Sequence, residues 1–369
     1  MINTKFKIEK KELYYLLTNL ITVKMFFTYP RFMLINSGNA AWIQCIFVSL
    51  IAISVYFITV KLFSGTQNND LLDICEQSGG KWLKIIVGIL LCVTFLINTA
   101  LTIRALPESI KTVLLPLTPM RILLILSGIT IALGSLFGLY SIARIHALFM
   151  PLVFIVFGIM IILLLGDIRV SNIFPVFGKG AYNIFIKGLE SVSIFSDIIA
   201  LYILIPFCRS FNDAKKSATK AILTSFLIVF LIVFIYNTVY SYPASEEFLF
   251  PVYQMTRMIK IGDFFQRLEP IFEFFWTISI LLYASFYLFL ICYVWKKTFE
   301  LKYYKPLVFP FSVLLISAAY IPSSSQELSF ASRTTAFLTI PVCLVLPAVL
   351  AAFYKARNKN SINQKREVV

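Results

Sequence analysis

Runs of about twenty apolar residues, each closed by a charged or turn-forming stretch, recur along the whole chain. They predict helices over 13–29, 41–63, 85–105, 122–140, 147–165, 184–207, 221–240, 271–295, 307–321 and 335–354. The ninth is short and its ends are the least defined. One run differs from the rest. Lys187–Cys208 is apolar enough to enter a bilayer yet carries Glu190, Ser191, Ser193, Ser196 and Asp197. A carboxylate near bilayer depth costs about 2.5–3.5 kcal/mol on insertion scales, so it asks for a partner, a cavity or a function. We read this stretch as a broken transmembrane helix beside a small-molecule site.

Composition fixes the class. With 59% hydrophobic and 14% charged residues, the chain reads as an all-α integral membrane protein of about ten transmembrane helices. In a soluble protein the net charge of +15 would suggest nucleic acid; here it becomes a question of sidedness, and no nucleic-acid partner is expected. Lys and Arg in the N-terminal segment, the even-numbered loops and the C-terminal tail outnumber those in the other loops by about two to one, which puts both termini in the cytoplasm. Lys5, Lys7, Lys10 and Lys11 lead into the first run without a small-residue cleavage motif, so that run reads as a retained helix. The six cysteines are scattered without a CxxC and read as small apolar fillers; no metal site and no cofactor is expected.

Two connections are longer than turns. Leu106–Pro119 reads as a short amphipathic piece ended by prolines. In 243–270, Met255, Met258, Ile259 and Phe265 recur at helical spacing. That pattern suits an interfacial helix packed on the outer face, or an ordinary loop helix. Nearby Arg267, Glu269 and Glu273 form either a salt-bridge network over an outer vestibule or a solvated face. The first and sixth spans each end on a proline with an arginine close behind (Pro30-Arg31 and Pro206 before Arg209) and each carries polar residues mid-span. This is the outline of a five-plus-five inverted repeat, 13–165 and 184–354, whose broken first helices meet at the midplane.

Few residues carry chemistry. No nucleophile–base pair, metal-spaced cluster or phosphate-binding glycine loop appears, so an enzyme is not expected. The lone histidine, His146, sits beside Arg144 near a helix end and reads as a membrane-interface residue. Asp197 is either a ligand or proton carboxylate or one half of a structural ion pair. Lys24, too deep to snorkel, attracts a substrate carboxylate, replaces a bound sodium ion, or pairs with Asp197. Glu190 reaches the outer interface. Asn98 and Thr94 share a helix face as cavity lining or as interhelical glue. The candidate ligand-binding set is Asn19, Thr22, Lys24, Asn98, Ser191, Ser193, Ser196 and Asp197.

The run from Phe250 to Trp276 contains a proline, Arg257-Met-Ile259 and Asp263-Phe-Phe-Gln-Arg267-Leu-Glu269, followed by a tryptophan-bearing helix. It resembles the GerAB/GerKB family of spore germination proteins. Further matches fall in order: Asn39-Ala-Ala-Trp42, Gly80-Lys-Trp82, Leu115-Pro-Leu-Thr-Pro119, Ala143-Arg144 with Pro151, and Asn172-Ile-Phe-Pro175. The resemblance implies a membership of the amino acid–polyamine–organocation transporter superfamily and a LeuT-like fold. It also implies a B-subunit role in a germinant receptor of the spore inner membrane, beside an A subunit and a C-subunit lipoprotein. A small nutrient, an amino acid first of all, would be recognised between the first, third, sixth and eighth spans. The family's acidic position in the sixth span falls on Asp197. The superfamily's glycine-bearing break in the first span falls on Val23-Lys24-Met25, where glycine is absent and Lys24 supplies a charge instead. An ion-coupled amino acid permease and a non-binding scaffold or ion-release pore are the rival functions.

Overall fold

The computed structural model describes residues 7–26, 29–66, 69–259 and 268–367, with side chains to Arg357. Among these residues there is no strand, only a backbone bridge between Ile8 and Cys208. The helices are α1 (Lys10–Thr22), α2 (Tyr29–Ser37), α3 (Ala41–Phe63), α4 (Leu71–Val113), α5 (Met120–Phe137), α6 (Leu139–Leu164) and α7 (Ala181–Phe185). They continue as α8 (Ile199–Leu204), α9 (Phe211–Val239), α10 (Pro251–Met258), α11 (Glu269–Thr298), α12 (Lys305–Ala319), α13 (Ser325–Ile340) and α14 (Leu346–Glu367). Eight described helical stretches are long and apolar enough to cross a membrane, and α12 is a shorter apolar one. Exposed Leu148, Ile162 and Phe309 are typical of the outer faces of α6 and α12, a surface made for hydrocarbon. This is a multi-pass membrane protein.

Burial separates the centre from the rim. In the best apolar window of 181–207, 89% of residues are buried inside the protein, against 17% in that of 139–167. The least apolar of these eight windows, at a mean hydropathy of 1.8, is therefore the one best shielded from lipid. Around it the helices approach closely where side chains are small. A Cβ on Gly88 of α4 would overlap Thr298 of α11, and one on Gly134 of α5 would overlap Ser285 of α11.

Several boundaries differ from the sequence reading. Pro30 does not end the first helix; it lies in the first turn of α2, where its missing N–H goes unused. Leu106–Pro119 is not a separate piece, because α4 runs through Pro107 to Val113. Pro107 forfeits a single backbone bond, and Arg104, Leu106 and Ser109 are all buried around it. Gly80, at φ 76°, kinks the same helix after a first segment capped by Asp70. The 243–270 connection holds α10, with Val252 and Met255 buried but Met258 exposed; Phe265 and Arg267 lie outside the described residues.

At the basic end of the bundle, Asp70 ties α4 to α11. Its carboxylate accepts from the backbone N–H of Leu72 and Asp73, and Lys297 Nζ lies 2.6 Å from Oδ2 and 2.7 Å from Asp73 Oδ1. Complete burial pushes the Asp70 carboxyl up to about 6, against the pull of Lys297. Lys297→Met strands this carboxylate, and the thermal unfolding of the detergent-solubilised variant is expected to show a loss of about 2 kcal/mol at neutral pH. Without the pull of Lys297 the variant's Asp70 takes its proton above pH 6, so the deficit shrinks as the pH falls toward 6; a pH-independent deficit would assign Lys297 a packing role only.

Candidate ligand site

The site begins with two interruptions of α-helical bonding. At the end of α1 the hydroxyls of Thr18 and Thr22 donate back to the carbonyls of Tyr14 and Thr18, each at 2.8 Å, a competition that bends helices. The chain then tightens into a 3-10 turn over Val23–Phe26. The second interruption is a 3-10 stretch over Lys187–Ile198 between α7 and α8. Such runs seldom exceed four residues, and long ones mark hinges or strain. Here side chains hold it. Ser193 donates to Glu190 O at 2.7 Å, and Gln44 of α3 donates to Ser191 Oγ at 2.9 Å. Gln44 also accepts from Ser37, so α2 and α3 both grip the second interruption.

The two interruptions meet through charge. Lys24 Nζ lies 2.7 Å from Asp197 Oδ2, with the side chains only 6% and 5% exposed. Tyr287 of α11 donates to Asp197 Oδ1, and the Lys24 ammonium lies 5.8 Å from the Tyr283 ring centre, one turn earlier on the same face. Each charge is thus satisfied by a partner on another element, which is what makes burying both tolerable.

Lys24 also borders a cavity of ≈ 30 Å³ with Tyr29, Asn98, Thr102, Ser332 and Thr335; Asp197 is not part of its wall. Asn98 donates to Thr94 O and to Thr339 Oγ1, both at 2.9 Å, so it straps α4 to α13 while lining the cavity. At about 10–15 Å³ per water, this space holds about two waters. Past Tyr29 and Ser332 lies a smaller space that also touches Glu190 and Arg333. It ends on a three-way knot: Arg333 of α13 donates to Glu190 at 2.8 Å and Asn36 at 3.1 Å, and Asn36 donates to Glu190 at 2.7 Å. Glu190 is therefore spent inside the protein; it is the anion of a closure joining α2, the second interruption and α13.

A family profile described as "Spore germination protein" matches residues 7–327. The chain belongs to that family. It is 21% identical over 253 residues to spore germination protein B2 of Bacillus subtilis, covering 68% of each chain. Spore germination protein YndE of the same organism is 26% identical over 184 residues, 49% of each chain. Among solved structures, a manganese transporter of Eremococcus coleocola bound to an aromatic bis-isothiourea substituted compound superposes with a TM-score of 0.57 at 12% identity, over 92% of this chain and 78% of that one. This germination protein thus has the LeuT-like transporter fold.

The other residues singled out in the sequence of this family member lie apart from the cavity. Asn19 donates to Ser279 O and to Nε2 of His146, both at 3.1 Å, bridging α1, α6 and α11. His146 is not a surface residue but fully buried inside the protein. Its Nδ1 can only donate to the Ile142 carbonyl, which leaves Nε2 as the acceptor for Asn19. The apolar surroundings of α6 in sequence gave no sign of this bond, which joins residues 127 positions apart. Thr22 is spent on α1 itself, Ser191 on Gln44, and Ser193 on Glu190 O with Tyr29 Oη 3.1 Å away; Ser196 is buried in the second interruption. Glu269 and Glu273 are buried rather than solvated. Sequence reasoning missed Tyr29, Gln44, Thr102, Tyr283, Tyr287, Ser332 and Arg333. Only Tyr283 and Tyr287, four apart within one span, carried a readable signal.

Proposed function

We propose that this chain is the membrane-embedded subunit of a germinant receptor, binding a small nutrient, most simply an amino acid, at the cavity beside Lys24. The observation carrying the reading is the arrangement of one ion pair: Lys24 faces the cavity, while its counter-ion Asp197 lies behind it. A ligand carboxylate entering the cavity meets the ammonium side of the pair, where the fold lacks a glycine-bearing break to offer free amides. Tyr29, Asn98, Thr102, Ser332 and Thr335 supply hydroxyl and amide groups for the rest of a polar ligand.

A cavity of two waters cannot hold an amino acid, so binding requires α2 and α13 to move apart. The ligand then favours one conformation over another, which is the physical content of a sensor. In the spore inner membrane that shift passes to an A subunit and a C-subunit lipoprotein. The two halves 13–165 and 184–354 act as inverted repeats rocking about the paired interruptions, with both termini cytoplasmic.

Purified chain in liposomes tests the reading. Saturable binding of a nutrient amino acid without uptake is expected. Nutrient-dependent accumulation inside the vesicles would make the protein a permease, and absence of binding by all tested nutrients would reduce it to a scaffold.

A further inference from the structure

A second cavity, ≈ 40 Å³ in volume, lies between α4, α6, α10 and α11. Its wall is mostly apolar and rich in aromatic rings, among them Phe26, Tyr253, Phe272, Phe275 and Trp276. It contains neither Lys24 nor Asn98, and it shares no lining residue with the cavity described above.

Two carboxylates lie on this wall, Glu269 and Glu273, and Glu273 has no cation beside it among the described residues. Glu273 of α11 is 7% exposed, and Ser109 of α4 donates to its Oε1 at 2.7 Å. Among the described residues that is its one hydrogen-bond partner, and no ion pair reaches it. Elsewhere in the protein the buried carboxylates Asp70 and Asp197, and the partly buried Glu190, each have a Lys or Arg within 2.8 Å. A buried carboxylate is costly without a cation, and the aromatic rings of the same wall can offer a cation their π faces.

We propose that this cavity binds a small organic ammonium ion, with its charge against Glu273 and its methyl or methylene groups against the rings. A divalent metal ion does not fit the wall, because Mg²⁺ and Ca²⁺ need about six to eight oxygen ligands and the wall is chiefly carbon. An ammonium ion accepts π faces in place of oxygens. The space corresponds to about three waters, which suits a headgroup the size of methylammonium.

The test uses methylammonium chloride titrated into the full chain in lipid nanodiscs at constant total chloride, with N-methylglucamine as the replaced, bulkier cation. Trp276 lies in the wall, so tryptophan fluorescence and the unfolding midpoint both report occupancy. Saturable binding is expected, weakened about tenfold or more by Glu273→Gln and less by Glu273→Asp, which keeps the charge. The double variant Lys24→Met/Asp197→Asn, altered in the other cavity, is expected to bind methylammonium like the wild type. A Glu273 that simply carries its own proton gives no saturable signal, and that result overturns the proposal. So does binding that survives Glu273→Gln, or that is lost with the Lys24/Asp197 pair instead.

Discussion

Lys24→Met is expected to lower the stability of the fold by about 3–5 kcal/mol and to abolish the response to nutrient. The stability loss does not come from the lost attraction itself. It comes from Asp197, which stays buried with only Tyr287 and the remaining neighbours to hold its charge. Removing both charges relieves that problem, so Lys24→Met/Asp197→Asn is expected to recover most of the lost stability in a thermal unfolding assay. Exchanging the two charges places each on the other interruption and is expected to recover part of it. If neither double variant recovers anything that the single variants lost, the two residues do not act as a pair.

The second large effect belongs to the closure at the other end of the cavity. Arg333→Ala removes the group that touches both Asn36 and Glu190, and with it the tie between α13, α2 and the second interruption. The Arg333 side chain is 34% exposed, so water screens the pair and the loss of stability stays near 1 kcal/mol. The conformational effect is larger in its readout. A bias of roughly 1.4 kcal/mol is tenfold in an equilibrium, so an engineered cysteine at Ser332 should react about tenfold faster with a membrane-impermeant thiol reagent. Arg333→Lys should not restore the slow rate, since one ammonium does not reproduce the fork of a guanidinium. An unchanged rate in Arg333→Ala means that the knot does not close the cavity.

Hydrophobic periodicity made the helices legible because a bilayer demands long apolar runs whatever the rest of the chain does. The interruptions were legible for the opposite reason: Lys24 and Asp197 are so costly in apolar segments that each announced a partner. What sequence could not give is which polar residues spend their hydrogen bonds inside the protein. Gln44, Asn36 and Asn19 each find partners far away in the chain, and nothing local distinguishes such an amide from one that faces a ligand. Glu190 and His146 were misplaced toward the surface by the same gap. Each lies near the end of an apolar run, where exposure is the usual outcome, and contacts from a helix distant in sequence bury His146 and partly bury Glu190. The end of the first helix was read too late, at Pro30, which lies in the first turn of α2, and that of α4 too early, before Leu106, where Pro107 costs only a single bond.

The central claim is that Lys24 contacts the nutrient and does more than hold the two interruptions together. It is tested most directly by the germination dose–response of spores carrying Lys24→Met/Asp197→Asn in place of the native chain. This variant keeps the fold and removes the ammonium, so the account predicts normal protein levels with no response, or a half-maximal nutrient concentration raised by about a hundredfold or more. A wild-type dose–response from that stable, uncharged variant would contradict the account and leave the pair as a structural tie.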